Sequence, residues 1–179
     1  HRLHDDIVGA IKERFPDVQL IETGENLGYA AGNNVGIRRA ASEGAELIWV
    51  LNNDAIPEQH ALAALVETAE RHPRAGAIGS KVVYADKPEV IWATWGRISW
   101  LQSLVSLPGQ GQKDDGRYDL EKKVPWIPGC SILFRREAIA AVGHFAPGTC
   151  PVQPGQNGMR AGVRSDRHTR LVKDLHFVR

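Results

Sequence analysis

Two rhythms of apolar residues organise the first half of the chain. From Asp5 to Phe15, Ile7, Ala10, Ile11 and Phe15 recur at helical spacing, with Asp5 and Asp6 near the start, where a helix favours negative charge. Pro16 and Asp17 break that pattern, and Val18–Ile21 reads as a short strand. A second helix is predicted near 30–42, carrying Val35, Ile37, Ala40 and Ala41. Leu47–Leu51 is an unbroken apolar run, the pattern of a strand buried on both faces of a parallel sheet. Pro57 is expected to open a third helix running to about His72, with Leu62, Leu65, Val66 and Ala69 inward and Glu58, Glu67, Glu70 and Arg71 in solvent. Pro73 stops it. Ala75–Tyr84 and Val90–Trp95 read as strands, separated by the Asp86-Lys87-Pro88 turn. The βαβ rhythm predicts an α/β fold with a mostly parallel central sheet containing Val18–Ile21, Leu47–Leu51 and Ala77–Val83.

The second half is more broken. Leu107 to Glu121 is rich in Gly, Gln and Asp and reads as a solvated loop, so Asp114, Asp115 and Asp119 are expected to be flexible surface carboxylates. Pro125, Pro128 and Gly129 then bend the chain before an apolar strand at Ile132–Phe134. A short helix, Glu137–Val142, ends on Gly143. Trp126, beside the bend, suits stacking on a sugar ring and suits a core position equally well.

The chemistry concentrates where Leu47–Leu51 ends. Asn52, Asn53 and Asp54 follow at the carboxyl end of that strand, the edge at which open α/β sheets hold ligands. One carboxylate beside two carboxamides offers hard oxygen donors of the kind that suit Mg²⁺ or Mn²⁺ bridging to a diphosphate. An Asn/Asp turn capping the next helix is the competing reading. Gly24 to Gly36 is a second candidate. Gly28 and Gly32 permit close backbone approach before a helix start that can receive an anion. The glycine spacing does not fit the dinucleotide fingerprint. Close packing explains Ala30, Ala31 and Gly36, but not the adjacent Asn33 and Asn34, which are poor helix formers.

Composition narrows the field. The 179 residues suffice for one domain with a core, and a net charge of +1 gives no general attraction to nucleic acid. From Thr149 onward six Arg/Lys face two Asp, so that tail carries +4 and the remainder −3. Residues 146–179 are expected to be a divergent, poorly ordered basic tail behind a domain at 1–145. Cys130 and Cys150 form no metal-ligand pattern. No apolar run is long enough to span a bilayer, and no signal peptide is visible, so a cytoplasmic protein is expected.

Five segments in order, Glu25-Asn-Leu-Gly-Tyr-Ala-Ala-Gly-Asn-Asn34, Leu51-Asn-Asn-Asp54, Trp126-Ile-Pro-Gly-Cys130, Phe134-Arg-Arg-Glu137 and Val142-Gly-His-Phe145, closely resemble the family-2 glycosyltransferases, particularly rhamnosyltransferase-like members. The resemblance covers about His4 to Phe145. It implies a GT-A-like sandwich and inverting transfer from a nucleoside-diphosphate sugar to a hydroxyl of a glycan or lipid-linked glycan, placing the protein in the cytoplasm or peripherally at the inner face of the membrane. The family's Asp-x-Asp element falls on Asn52-Asn53-Asp54, so the resemblance makes Asp54 the contact for Mg²⁺ or Mn²⁺. It places Gly28, Asn33, Asn34, Asn52 and Asn53 near the nucleotide sugar, and Trp126, Gly129 and Cys130 on the acceptor side.

The sequence departs from the family pattern in two places. The family begins with a strand and helix and then a strand contacting the nucleotide base; here the chain starts at His1 on a helix, so an incomplete domain is expected. The family also supplies its base from a Glu-Asp pair shortly after the Gly-x-Phe turn. Here Gly143-His-Phe145 is followed by Ala-Pro-Gly-Thr-Cys-Pro-Val-Gln-Pro-Gly-Gln-Asn, without an acid. The chain by itself is therefore expected to transfer sugar poorly or not at all, and a non-catalytic remnant or interaction module is the alternative.

Overall fold

A computed structural model describes residues 2–99, 101, 104–145 and 161–163. Its helices are α1 (Arg2–Arg14), α2 (Gly28–Ser42), α3 (Ala61–Arg71) and α4 (Arg136–Val142). Strands β1 (Leu47–Leu51), β2 (Ala55–Pro57), β3 (Ala77–Gly79), β4 (Val82–Tyr84), β5 (Ile91–Ala93), β6 (Arg97–Ser99), β7 (Leu104–Ser106), β8 (Ser131–Arg135) and β9 (Ala161–Val163) form three sheets.

The central sheet has the order β1-β8-β3, and β8 runs antiparallel to both neighbours. This corrects the mostly parallel expectation. Ile48 pairs with Phe134 and Val50 with Ile132, while Ile78 pairs with Leu133 on the other side. The reason lies in β8 itself. Ser131, Ile132, Leu133 and Phe134 are all buried, so the strand needs cover on both faces and takes the middle position. β1 and β3 still run the same way, separated by the inserted strand. Val18–Ile21 forms no strand: Val18 and Ile21 are exposed, and no described strand lies alongside to complete a ladder.

Alternation along β1 divides the core. Ile48 and Val50 face Ile37 of α2 and Ile139 of α4, together with Ile132 and Phe134. Leu47 and Trp49 pack on the opposite face with Leu65 and Ala69 of α3 and with Leu133. The helices stop where local chemistry lets them. At the end of α2, Gly44 adopts φ 89°, its N–H donates to the Ala41 carbonyl at 3.2 Å, and Ala45 N–H donates to the Ala40 carbonyl at 3.1 Å. That pair of bonds is a Schellman closure. Gly143, at φ 91°, ends α4 as expected. Pro57, by contrast, lies in β2, and α3 begins only at Ala61. The residues around Pro57 are drawn into a ladder instead, since β2 pairs in parallel with β9.

The expected strand over Ala75–Tyr84 is split between two sheets at Ser80 and Lys81. The central ladder closes at Gly79, where a Cβ would sit 1.9 Å from Ile127 Cγ2. Lys81 is buried, and its ammonium donates to the carboxylates of Asp114 and of Asp119, the latter at 2.7 Å. These bonds overturn the reading of 107–121 as a flexible solvated loop. Asp114 N–H donates to the Glu89 carbonyl, Ile91 N–H to Gln112 and Gly111 N–H to Ile91, so the segment lies along β5. A buried ammonium needs anionic partners, and the loop supplies two of them. Only Asp115 of the three is exposed, and its carboxyl is held below the ordinary range by the backbone N–H and guanidinium of Arg117.

Removing the ammonium should leave two carboxylates facing a site without their cation. Lys81→Ala is therefore expected to lose on the order of 3–5 kcal/mol in urea unfolding. An unchanged urea midpoint would contradict the pairing.

Candidate functional site

Three loops meet where β1 ends and β8 begins. The strand β1 ends because Asn52 leaves the ladder, yet its N–H still donates to the Cys130 carbonyl at 3.0 Å. Ala55 N–H donates back to the Asn52 carbonyl at 3.1 Å, closing a tight turn over Asn53 and Asp54. Both of those side chains are exposed, and Asn52 is half-buried. The competing reading as a helix cap finds no support, because the turn leads into β2 and His60 stands at the start of α3.

Opposite that turn, Cys130 is buried against Val82 and Trp92. Burial, with a further push from the Asp54 carboxylate, raises its thiol pKa to about 12. The second cause places Asp54 within electrostatic reach of Cys130. Next to it, Ser131 Oγ accepts from Trp49 Nε1 at 3.1 Å and shares a hydrogen bond with Ser80 Oγ at 3.1 Å. These bonds fix the entry of β8 to both flanking strands.

The third loop opens α2. Gly28 adopts φ 70°, and its N–H donates to Asn26 Oδ1 at 2.9 Å. Tyr29, one residue on, donates its hydroxyl proton to the Gly129 carbonyl. Gly129 suits this approach, since a Cβ would lie 3.0 Å from that hydroxyl, a tight contact. Gly28, Asn52, Asn53, Asp54, Gly129 and Cys130 are thus joined around one end of the sheet.

The remaining candidates are placed differently. Asn33 Nδ2 donates to the Tyr29 carbonyl within its own helix at 2.9 Å. Asn34 is buried, and its carboxamide makes two bonds to one backbone unit: Nδ2 to the Phe145 carbonyl at 2.8 Å and Phe145 N–H to Oδ1 at 3.0 Å. The ring of Phe145 packs edge-on to Phe134 and tilted to Tyr29. Trp126 is half-buried, and its carbonyl accepts from Gly96 N–H at 3.0 Å, at the base of the β6–β7 hairpin. Tyr29 and Phe145 were not identified as site residues from the sequence. An aromatic between two small residues at a helix start was the available signal for Tyr29, but nothing in the pattern points to Gly129 as its partner.

The donor set fits a metal that arrives with its ligand. Among the described residues no group of three or more His, Cys, Asp and Glu could form a protein cage. Mg²⁺ and Mn²⁺ at diphosphates commonly need only one or two protein carboxylates, the remaining positions going to phosphate oxygens and water. Exposed Asp54, with Asn52 and Asn53 beside it, meets that need.

The buried thiol yields a test. Cys130 should resist iodoacetamide in the folded chain at pH 8 and react on unfolding, as mapped by peptide mass spectrometry. The same shift bears on stability. An unfolded thiol loses its proton from about pH 9.0 upward while the folded one holds it to about 12, so stability should fall as pH rises through that window. Rapid labelling of Cys130 in the folded state would contradict the placement.

Comparisons with known proteins place the chain in a family. The glycosyl transferase family 2 model matches residues 4–143. The N-acetylglucosaminyl-diphospho-decaprenol L-rhamnosyltransferases of two Mycobacterium tuberculosis strains are each 29% identical over 161 residues, covering 76% of this chain and 50% of the relative. The chain thus spans about half the length of the curated relatives it matches. No solved structure matches it. With its family match covering most of the chain and the strand-end turn in place, the chain belongs to glycosyl transferase family 2.

Proposed function

We propose that this chain forms the donor-binding part of a glycosyltransferase that moves a sugar, rhamnose by analogy with the relatives, from a nucleoside diphosphate to a hydroxyl acceptor. The observation that carries the reading is the exposed Asp54 on a turn held at its base by the Asn52–Cys130 bond. In this reading residues 1–145 are the transferase unit. Asp54, with Asn52 and Asn53, would hold Mg²⁺ or Mn²⁺, which when bound would supply positive charge to offset that of a departing diphosphate. Gly28 and the start of α2 border the nucleotide, with Asn33 nearby; Asn34 keeps its place there by tying α2 to Phe145. Gly129, Cys130 and Trp126 border the acceptor.

Transfer is by inverting displacement. The acceptor oxygen bonds to the anomeric carbon, the carbon–oxygen bond to the diphosphate breaks, and the acceptor proton passes to a carboxylate base. No Asp or Glu lies between Glu137 and Asp166, the interval where the family supplies that base. A missing general base typically costs about 10²–10⁴-fold, so this chain alone binds donor without useful turnover. Asp114 is not a replacement, because it is held by Lys81. The relatives' name specifies a lipid-linked acceptor, N-acetylglucosaminyl-diphospho-decaprenol. A lipid-linked glycan is the acceptor class we assign here, with peripheral attachment at the inner face of the membrane. Among the described residues no helix is long and apolar enough to cross one.

Calorimetric titration with a nucleoside diphosphate, with and without Mn²⁺, tests the reading. Binding should require Mn²⁺ and drop at least tenfold in Asp54→Ala, with an unchanged circular dichroism spectrum. Equal, metal-dependent binding by Asp54→Ala would overturn the assignment.

A further inference from the structure

Asn34 is buried in the middle of α2, and a buried carboxamide needs partners at both ends. It finds both on one residue. Its Nδ2 donates to the Phe145 carbonyl at 2.8 Å, and Phe145 N–H donates to its Oδ1 at 3.0 Å. Among the described residues no other group bonds the Phe145 backbone. Packing alone does not call for asparagine here. It is a poor helix former, and three residues on Ile37 fills the core from the same helix with an apolar side chain. What a carboxamide adds is a donor and an acceptor spaced to meet the C=O and N–H of a single residue.

The contacts continue from Phe145. Its ring is tilted against that of Tyr29, with centroids 5.8 Å apart, and edge-on to that of Phe134 at 5.6 Å. The Tyr29 hydroxyl donates to the Gly129 carbonyl. Cys130, next in the chain, accepts from Asn52 N–H at 3.0 Å, at the base of the turn that carries Asp54. An unbroken series thus runs from Asn34 through Phe145, Tyr29 and Gly129 to the turn after β1. Asn34 and Phe145 lie 111 residues apart, and Tyr29 and Gly129 lie 100 apart, so neither link is set by local structure.

We infer that Asn34 is a positioning residue for the Asp54 turn. It sets the Phe145 backbone, the Phe145 ring sets Tyr29, and the Tyr29 hydroxyl sets the bend on which the turn rests. Asn34 acts through these residues and not by touching the nucleotide. The inference deepens the proposed function and rests on its reading of Asp54.

Calorimetric titration with Mn²⁺ and a nucleoside diphosphate tests it, together with amide exchange of the ligand-free chain by NMR. Tyr29→Phe keeps the ring and loses the hydroxyl. It should bind about tenfold more weakly, the scale of one hydrogen bond lost from a buried acceptor. Asn34→Asp can hold the Phe145 pair only while its carboxyl is protonated, since the ionised group accepts but cannot donate. Buried against a carbonyl, that carboxyl should keep its proton well above the ordinary value of about 3.9. At about pH 8 the variant should therefore lose Phe145 amide protection and bind about tenfold more weakly than the unaltered chain, and at about pH 5 it should recover both. His144, exposed beside Phe145, is common to both chains, so each comparison is made at one pH. In a Tyr29→Phe background, Asn34→Asp should change the affinity less than about twofold, because the series is already cut. Unchanged binding by Tyr29→Phe, a loss in Asn34→Asp that ignores pH, or losses that add in the double variant would each overturn the inference while leaving the proposed function standing. If the unaltered chain binds no nucleoside diphosphate, the proposed function falls and this inference falls with it.

Discussion

The insertion of β8 between β1 and β3 is the constraint on which the rest of the structure depends. Its four consecutive buried side chains can be covered only in the middle of a sheet with helices on both faces. By running antiparallel to β1, it brings its own first residue to the last residue of that strand, and Leu51 pairs with Ser131. Everything at the candidate site follows from this meeting. The Asn52 amide reaches the Cys130 carbonyl, and Asp54 comes within electrostatic reach of Cys130. Gly129 becomes available to Tyr29. A parallel insertion would have delivered the Pro-Gly-Cys bend to the opposite edge, away from Asp54.

The polar residues near this junction divide into those that build it and those left exposed. Asn34, Tyr29 and Ser131 are spent on hydrogen bonds between segments far apart in sequence. Asp54 and Asn53 are exposed on the turn. The division explains how one carboxylate can stay in a fixed place without buried partners of its own: the backbone beneath it is held at Asn52 and Ala55. The same economy appears at Lys81, where carboxylates that resemble catalytic candidates serve to neutralise a buried ammonium.

Much of this was legible from residues alone. The helices α2 and α3, the strand β1 and the glycine stop of α4 all follow from local patterns, because burial and capping are local in sequence. The strand-end position of Asp54 was legible for the same reason. The partner of each strand was not. An apolar run such as Leu47–Leu51 announces burial on both faces but carries no label for its neighbour, so the antiparallel insertion of β8 could not be read from it. Val18–Ile21 shows the converse error, a β-like run with no ladder to join. The roles of Asn34, Tyr29 and Lys81 were hidden because each is set by a partner 33 to 111 residues away.

The claim at the centre of this account is that the turn after β1, the start of α2 and the entry to β8 form one site for a metal-bound diphosphate. Amide NMR during titration with Mn²⁺ and a nucleoside diphosphate tests it most directly, since paramagnetic broadening reports distance from the ion. The account predicts that the signals of residues 52–55, Tyr29 and Cys130 broaden together while those of Ala69 and Glu70 on α3 stay sharp. Broadening centred on residues 114–119, with 52–55 unaffected, would contradict it.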